Sequence, residues 1–479
     1  MLKMLKVVLC FIPCIYSIPV LNGFGHDVDW WIILKLPQEM MLLNGTLTTS
    51  HCTCTQEKYP SRGSGLCYLY ADSNMPSLES FSSLGYDCLG QGGFDPLSQT
   101  ILAHRKEINT THWAYFNDQF NGRSITHLNH TCTGESNFNA HSKGLVAYDD
   151  KHGGFYLQSS TPNYPEPNAN SEFPQLGTQR DNNVFFAQHF AAFSFSTDSM
   201  EEVGSLLKTV RQCSTNYYHD NEFISPSFRN ANKSMKETSS IYQALVDPHL
   251  SHDLPPIPHK RNITTKQGQV VHLIVKTAVE TEPPWSVVGN YMQMDVSVAT
   301  WWDPSYGLPT ICANDNYAIS SSTFCLPLSN GTVSFNVENI IQLHWHEYSW
   351  WALGGLRPGG NHGKWGLSTP RNGHHNQTVV FFGDLNQEGF PCSHTCSGAQ
   401  GGRGGVFWSL DNPALWDSIR QLKPTVCSCT SDKVGFLEHR MCQHGCIKRL
   451  EREPVVWPVL TGRASSFWDQ HTFNIEIKR

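Results

Sequence analysis

The chain has 479 residues, of which 39% are hydrophobic and 11% aromatic, and its formal net charge is −7 at pH 7. This composition can bury a sizeable core and excludes wholesale disorder, and the length allows two packed units or one large pseudo-symmetric domain. Past the N-terminal segment, no stretch approaches the roughly 18 apolar residues of a membrane span, so no spanning helix is expected.

The negative charge disfavours a polyanionic partner at neutral pH, but the chain contains 23 histidines. Histidine titrates between about pH 5 and 8, so an acidic compartment would change the sign of the charge. Protonation of all 23 would bring the charge from −7 to +16, and removal of Lys3 and Lys6 with a signal peptide would leave +14. Composition leaves open whether these histidines serve acid-dependent binding of nucleic acid or are incidental surface residues.

Residues 1–17 have the pattern of a secretory signal peptide, in which a basic start precedes the apolar residues 7–15 and the small residue Ser17. Without Cys10 and Cys14, 14 of the 16 cysteines remain, an even number that suits an oxidising compartment. Asn-x-Ser/Thr sequons occur at Asn44, Asn109, Asn129, Asn232, Asn262, Asn330 and Asn376. The expected location of the mature protein is therefore extracellular or luminal.

The first half of the mature chain is predicted to be rich in strands. Residues 29–37 form an apolar run closed by proline, which is typical of a buried strand. Residues 44–140 are rich in Gly, Ser, Asn and Cys and are predicted to be mainly loops. Residues 144–149 and 154–158 are predicted to be consecutive strands, and residues 184–196 continue the strand character.

A helix is predicted from Ser199, which forms a capping-box pattern with Glu202. Its apolar stripe consists of Val203, Leu206, Leu207 and Val210. It ends the first half, assigned to residues 18–213, and the polar, proline-bearing residues 214–265 are interpreted as a connecting segment.

The second half is assigned to residues 266–426. Strands are predicted over 267–279, over the alternating residues 291–302 and over 379–383. A helix begins at Asn412, whose next residue is proline, and is predicted to bury Leu415, Trp416, Ile419 and Leu422. Residues 427–479 form a cysteine-bearing C-terminal extension. Strands and helices mixed in this way in both halves predict a layered α/β architecture with a loose internal duplication.

A His-x-Lys triplet stands ahead of a strand in each half, at His141–Lys143 and His362–Lys364. One such triplet means little, since about one is expected by chance, and a third copy at His104–Lys106 lies in a charged run with no strand behind it. The first two occupy corresponding places in the two halves. They are therefore interpreted as a functional pair, and the third as the chance copy.

Phosphodiester cleavage needs a nucleophile, positive charge beside the non-bridging oxygens and a proton for the leaving oxygen. One histidine could attack phosphorus while the other protonates the leaving hydroxyl, and the residues alone do not say which does which. Lys143 and Lys364 would hold the phosphate oxygens. No carboxylate cluster with metal-ligand spacing lies close by in sequence, so a metal-independent route is expected.

These motifs resemble the deoxyribonuclease II family of acid endonucleases, over roughly residues 26–425. The matching segments keep their order and spacing: Val28-Asp29-Trp30, Lys35-Leu36-Pro37, His141-Ser142-Lys143-Gly144, Gly154-Phe155-Tyr156-Leu157, Ser160-Thr161-Pro162, His362-Gly363-Lys364-Trp365, Gly383-Asp384-Leu385-Asn386, Gly401-Gly402-Arg403-Gly404-Gly405 and Asn412-Pro413-Ala414-Leu415-Trp416. The resemblance implies a phospholipase-D-like α/β fold, a pseudo-dimer of two mixed-sheet halves with flanking helices.

The resemblance also implies hydrolysis of DNA at acidic pH, without a divalent metal or other cofactor, to 3′-phosphate ends. It assigns catalysis to the four residues His141, Lys143, His362 and Lys364, and most firmly to His362. Asp384, Asn386 and Arg403 are expected to support the site. The glycine loop around Arg403 could approach phosphate or be a plain surface turn, and both interpretations stay open.

Two departures from the family pattern bear on activity. Asn361 stands where the family usually has an aspartate before the second histidine, and loss of that acidic neighbour predicts a lower pH optimum. Ser159 stands where the family tends to have another histidine, which predicts a lower rate. An alternative function follows, a secreted protein that keeps the fold and binds DNA or a host molecule with weakened or lost catalysis.

Two further readings of the sequence are disfavoured. A zinc site at His344 and His346, or among Cys427, Cys429 and the later cysteines, lacks a defined set of three or four ligands, and disulfides are expected for the cysteines instead. Phospholipase-type transphosphatidylation is disfavoured because the general phospholipase-D pattern has an aspartate at the position of Tyr148.

Overall fold

The computed structural model describes residues 18–50, 52, 54, 65–107, 111–117, 140–149, 151–162, 164, 176, 182–210, 240, 241, 244, 259–277, 282–301, 310–313, 334–354, 359–370, 377–388 and 403–429. The predicted signal peptide and most of the predicted connection and C-terminal extension lie outside the described residues. Within them, no helix is long and apolar enough to cross a membrane.

The strands in chain order are β1 (Val20–Leu21), β2 (Asp27–Val28), β3 (Trp30–Lys35), β4 (Glu39–Leu42), β5 (Leu47–Thr49), β6 (Tyr68–Asp72), β7 (Glu79–Ser80), β8 (His112–Asn117), β9 (Lys143–Asp149), β10 (Gly153–Ser159), β11 (Gln188–Phe195), β12 (His259–Thr264), β13 (Val270–Lys276), β14 (Asp295–Ala299), β15 (Val337–Trp345), β16 (Tyr348–Trp351), β17 (Trp365–Thr369), β18 (Val379–Gly383), β19 (Gly405–Asp411) and β20 (Thr425–Cys427). The helices are α1 (Pro96–Lys106), α2 (Asn182–Phe185), α3 (Thr197–Val210), α4 (Pro284–Met292) and α5 (Pro413–Arg420).

Two large sheets form the framework. The first has the strand order β7-β6-β3-β11-β10-β9-β8, and all its neighbours are antiparallel. The second has the order β12-β13-β19-β18-β17-β14-β15-β16-β4-β5, with β20 also paired to β15. Its only parallel pair among the described strands is β14 with β15. A separate small sheet joins β1 to β2.

The two sheets share a repeated core. The order β3-β11-β10-β9-β8 in the first corresponds to β13-β19-β18-β17-β14 in the second. Along the chain, α1 precedes β8 and α4 precedes β14, the strands that stand last in these two orders. Helices α3 and α5 follow β11 and β19. This repeated order confirms the predicted internal duplication and mixed α/β architecture.

The halves pack against each other through aromatic side chains. The ring of Trp408 on β19 lies 5.3 Å from that of Tyr156 on β10 and 5.1 Å from that of Phe193 on β11. All three side chains are fully or almost fully buried. Burial of such large apolar surfaces is the main contribution that holds the two sheets together.

Several local predictions are confirmed. All six residues of β3 are buried, and β18 has the bounds predicted for it. Asn412 caps α5 by accepting the N–H of Leu415 at 3.0 Å, as the Asn-Pro pair indicated. The predicted stripe of α3 is buried.

The start of α3 was predicted two residues too late. The helix begins at Thr197, and the Ser196 hydroxyl, not that of Ser199, accepts a first-turn N–H at 3.3 Å. Ser199 instead donates its hydroxyl to the carbonyl of Thr264 at 2.7 Å. The Ser199 side chain, which the local pattern assigns to the helix cap, therefore bonds instead to a residue distant in sequence.

The strand predicted over residues 291–302 was also partly wrong. Helix α4 continues to Met292, Gln293 adopts a left-handed conformation with φ 56°, and β14 begins only at Asp295. Met292 and Met294 are both buried, one from the helix and one from the turn, and so imitate the alternation of a strand. Likewise, α2 occupies the beginning of the strand predicted over 184–196.

Sheet pairing crosses the boundaries drawn from sequence. Within residues 18–213, β4 pairs with β16 and β5 pairs with β4, and both strands extend the second sheet. β12 begins at His259, inside the predicted connection, and pairs with β13. Backbone pairing of this kind depends on which edges meet in space, which local sequence patterns do not encode.

Three disulfides lie within the described residues, Cys52–Cys67, Cys54–Cys88 and Cys312–Cys429. The last closes a separation of 117 residues and fixes the chain beyond β20 to the second half. These bonds confirm the predicted use of cysteine in disulfides, as is usual for a chain made in an oxidising compartment.

We expect the Asp95→Asn variant to lose part of the pH dependence of stability. Asp95 caps α1 by accepting the N–H of Ser98 at 2.9 Å, and burial raises the pKa of its carboxyl from 3.8 to about 7. The folded state then binds more protons than the unfolded state between about pH 4 and 7, so this stability is fully present below about pH 4 and is lost as the pH rises to about 7. Between pH 5 and 8 it amounts to roughly 3 kcal/mol.

Urea unfolding of wild type and variant at pH 5 and pH 8 measures this difference. Asparagine keeps the cap but cannot ionise, so the variant's free energy of unfolding should fall less between the two pH values. An equal fall in both proteins would contradict the expectation.

Candidate active site

The first His-x-Lys motif lies at the beginning of β9. The main-chain N–H of His141 donates to the carbonyl of Gly404, 2.9 Å away on the segment before β19. Its ring Nδ1 lies 2.9 Å from the main-chain carbonyl of Asp384. Lys143, the first residue of β9, has its Nζ 3.4 Å from Nε2 of the same ring. Both side chains are buried at the junction of the two halves.

The second motif lies just before β17. The main-chain N–H of His362 donates to the carbonyl of Ala187 at 2.7 Å, and its ring Nδ1 lies 2.8 Å from the carbonyl of Ser160. The Nζ of Lys364 donates to the carbonyl of His362 at 2.7 Å and lies 3.4 Å from the ring Nδ1. The lysine therefore braces the backbone of its own motif.

The two motifs hold each other reciprocally. Residues 160 and 384 directly follow the ends of β10 and β18, the antiparallel neighbours of β9 and β17. Each strand end thus offers a carbonyl to the histidine of the opposite half. A carbonyl only accepts hydrogen bonds, so Nδ1 of each ring must carry the proton and, in the neutral ring, Nε2 must carry the lone pair. The fold therefore fixes the same tautomer in both histidines.

The charges of both motifs act on one ring. Burial lowers the pKa of His362 well below its usual value, and the positive charges of Lys364, Lys143 and His141 lower it further. The hydrogen bond to Ser160 acts in the opposite direction. The positively charged groups of the first motif are therefore close enough to act on the ring of the second.

Asp384 is embedded in a network beside the first motif. Its carboxylate accepts hydrogen bonds from the Ser142 hydroxyl, the Gln158 amide at 2.8 Å and the Val406 N–H at 2.9 Å. Burial raises the pKa of this carboxyl to about 6, although these hydrogen bonds and the charge of Lys143 lower it. The network fixes the residue whose carbonyl orients His141.

Arg403 and Asn386 occupy different places relative to the motifs. The guanidinium of Arg403 donates to the carbonyl of Ala140 at 3.2 Å, and its own carbonyl accepts from Lys276 at 3.1 Å. Arg403 therefore supports the segment that enters the first motif. Asn386 is buried and donates to Glu388 at 2.8 Å, and no described contact joins it to a motif histidine or lysine.

The two departures from the family pattern have local explanations. Asn361 accepts the N–H of Gly363 at 2.9 Å and donates to the carbonyl of the same residue at 2.8 Å. An aspartate could not make the second bond, so Asn361 and Gly363 fit each other in one tight turn. Ser159 accepts the N–H of Thr161 at 3.0 Å, next to the carbonyl that holds His362.

Sequence reasoning missed two residues that touch the site. His189, the second residue of β11, is fully buried and accepts the main-chain N–H of Lys364 through Nδ1 at 3.0 Å. The ring of Trp301 lies 4.9 Å from that of His362 and forms one wall of the site. Neither lies in a recognisable motif. Only the strand character of 184–196 indicated that His189 was buried.

The structure also shows the surroundings of residues that the sequence analysis did not assign to the site. His104 lies in α1, against the rings of Trp113, Tyr115 and Phe155, and burial lowers its pKa to about 3, as befits a core residue. Cys427 and Cys429 are both disulfide-bonded and so cannot be zinc ligands. Across the described parts of the chain, no group of three or more His, Cys, Asp or Glu side chains could hold a metal ion.

Comparison with known proteins agrees with this geometry. The family model for Deoxyribonuclease II matches residues 21–429, which include both His-x-Lys motifs and both sheets. No curated protein matches the chain. Because the family match spans well over half of the 479 residues, the chain belongs to the deoxyribonuclease II family, whose members are phosphodiester hydrolases that act on DNA.

Proposed function

We propose that the protein is an acid endodeoxyribonuclease that cleaves DNA to 3′-phosphate ends through a phosphohistidine, without a metal ion. The observation that carries this proposal is the reciprocal pair of histidines. Each Nδ1 faces a main-chain carbonyl of the opposite half, at 2.9 Å for His141 and 2.8 Å for His362, so each neutral ring carries its lone pair on Nε2.

In the first step, Nε2 of one histidine attacks phosphorus and a nitrogen–phosphorus bond forms. The bond from phosphorus to the 5′ oxygen breaks, and the other histidine gives that oxygen its Nε2 proton. In the second step, the same histidine takes a proton from water, which attacks phosphorus and releases the first histidine. The products are a 3′-phosphate and a 5′-hydroxyl, and each histidine returns to its starting state.

The lysines supply the positive charge that the reaction needs. Lys143 Nζ lies 3.4 Å from Nε2 of His141 and Lys364 Nζ lies 3.4 Å from Nδ1 of His362, so each motif places an ammonium group beside its own ring. Preorganised positive charge at a buried site stabilises the oxygens of the transition state more strongly than it would in water.

The surroundings favour His362 as the nucleophile. A nucleophilic imidazole must be neutral, and the lowered pKa of His362 keeps it neutral in acidic solution. His141 then serves as the proton donor, with its ring orientated by the carbonyl of Asp384. This division of roles explains how one site can hold an acid and a base at the same low pH.

Acidic pH also favours the encounter with substrate. With its histidines uncharged the chain is negative and would repel DNA, whereas protonation of the 20 histidines other than the buried His104, His189 and His362 would make it positive. The predicted signal at residues 1–17 and the disulfides support a lysosomal or secreted location. We propose an acidic lumen as the place of action.

A second candidate function, DNA binding with weak or no catalysis, is favoured by Ser159. A serine supplies no third imidazole at this position, and its hydroxyl instead accepts the N–H of Thr161. The reciprocal hydrogen bonds that hold His141 and His362 nevertheless support the active enzyme. A test of cleavage decides between the two candidates.

We expect the purified protein to nick supercoiled plasmid at about pH 5 in excess chelator, and to lose this activity near pH 8. The new ends should support primer extension only after phosphatase treatment, because a 3′-phosphate blocks a polymerase. Retention of plasmid in a gel-shift assay without nicking would establish the binding protein instead. Inhibition by the chelator would overturn the metal-independent route.

A further inference from the structure

We propose that His189 is a positioning residue of the second motif, in which its Nδ1 accepts the main-chain N–H of Lys364 and thereby fixes His362 for reaction. The inference rests on the proposed nuclease function for its kinetic readout, but its structural claim can be tested separately. None of the sequence motifs includes this residue.

The contacts of His189 join two segments that both hold the reactive ring. Its Nδ1 accepts the N–H of Lys364 at 3.0 Å. Its main-chain N–H donates to the hydroxyl of Ser160 at 2.8 Å, and its carbonyl accepts the N–H of Ser160 at 3.1 Å. The carbonyl of Ser160 in turn accepts the Nδ1 proton of His362. His189 is therefore hydrogen-bonded to the backbone of Lys364 and, through Ser160, is connected to the ring of His362.

The hydrogen bond to Lys364 requires one tautomer of His189. A nitrogen that accepts an N–H must carry a lone pair, so the single proton of the neutral ring sits on Nε2. The side chain is fully buried, and no residue in the described part of the chain is a hydrogen-bond partner of its Nε2. An unpaired buried donor costs free energy, so the Nε2 atom gives no reason for a histidine at this position. The reason is the contact of Nδ1 with Lys364. Burial and the nearby Lys364 both lower the pKa of His189 well below its usual value, so the ring remains neutral in acid.

The equivalent position in the other half carries no such ring. The carbonyl of Val406 on β19 accepts the N–H of Asp384, and the N–H of Val406 donates to the Asp384 carboxylate. His189 in the same way accepts the N–H of Ser160 and donates to the Ser160 hydroxyl. There the neighbouring residue Asp384 is instead held by the side chains of Ser142 and Gln158. The two motifs are thus fixed by different means, and the support from an imidazole is specific to the second.

The test compares His189→Asn, His189→Gln and His189→Leu in the full-length protein. Asparagine can place an amide oxygen where Nδ1 lies, glutamine can place an amide nitrogen where Nε2 lies, and leucine can do neither. We expect the asparagine variant to keep kcat for plasmid nicking within about threefold of wild type. The glutamine and leucine variants should lose roughly 10- to 100-fold in kcat, with KM changed less than about threefold, because positioning and not binding is lost.

Several results would overturn the proposal. These are wild-type activity in all three variants, activity restored by glutamine but not by asparagine, or a raised KM at unchanged kcat. If the leucine variant does not fold, the comparison of asparagine with glutamine still decides. Nitrogen-15 NMR of histidine-labelled wild type at pH 5 tests the structural claim without any variant, since a protonated Nδ1 on His189 would refute it even if the protein cleaved no DNA.

Discussion

The His362→Ala variant should lose at least about 10⁴-fold in kcat for plasmid nicking at pH 5 while it still binds DNA. The reason is that alanine removes the only atom proposed to bond to phosphorus, and no second step can compensate for a missing nucleophile. The ring also fills buried space against Trp301, so thermal unfolding of the variant must show that the fold is intact. A matched control is His26→Ala, because His26 is exposed and lies outside the site.

The same experiment can separate the roles of the two histidines. His141→Ala should lose about 10²- to 10⁴-fold on DNA, which is the usual contribution of a general acid. On a nucleoside 3′-(p-nitrophenyl phosphate) the leaving phenolate needs no proton, so His141→Ala should recover the first step there, measured as a burst of about one p-nitrophenolate per enzyme, while the second step stays slow because it still lacks its base. His362→Ala should remain inactive on both substrates. Recovery by His362→Ala and not by His141→Ala would reverse the assignment, and recovery by neither would contradict a simple proton-donor role.

Lys143→Ala and Lys364→Ala are each expected to lose about 10²- to 10³-fold in kcat at pH 5, as is typical when one group that stabilises transition-state charge is removed. Both ammonium groups lie within 3.4 Å of a motif ring, so no distant lysine can replace them. The third triplet supplies the control, because Lys106 is an exposed residue of α1 and Lys106→Ala should keep wild-type activity.

The two lysine variants should also differ from each other. Lys364 donates to the carbonyl of His362 at 2.7 Å, so its loss disturbs the backbone of the second motif as well as the charge. We therefore expect a larger fall in thermal stability for Lys364→Ala than for Lys143→Ala. Equal activity of Lys143→Ala, Lys364→Ala and wild type would refute the proposal that the ammonium groups hold the phosphate.

The reciprocal arrangement explains why the site depends on both halves. His141 reaches a carbonyl 243 residues away in sequence, and His362 reaches one 202 residues away. Neither half by itself could fix the tautomer of its own histidine through these bonds. A substitution that separates the two sheets, for example at Trp408, is therefore predicted to disturb both rings together.

The Asp384 network and His189 show how two similar motifs can differ in chemistry. Asp384 has a carboxyl with a pKa raised to about 6, so its charge changes in the range where an acid nuclease works. His189 remains neutral in the same range because burial lowers its pKa. A carboxyl whose pKa is about 6 thus lies beside His141, and a ring that stays neutral supports the backbone beside His362. This difference agrees with the proposal that His141 exchanges protons and His362 attacks phosphorus.

The sequence by itself determined the features that depend on side-chain types and on local spacing. The two triplets, the buried strand β3, the strand β18 and the Asn-Pro start of α5 all follow from hydrophobic periodicity or from the chemistry of one short segment. The departures at Ser159 and Asn361 were equally visible, although their structural consequences were not.

Only the tertiary structure decided how the site is held together. The acceptors for both rings are main-chain carbonyls, and every residue has one, so no residue type marks Ser160 or Asp384 for this task. The partners of His189 and Ser199 are also main-chain groups, on segments remote in sequence. Contacts of this kind arise from which strand ends meet when the two sheets pack, and that depends on the burial of side chains across the whole molecule and not on any local pattern.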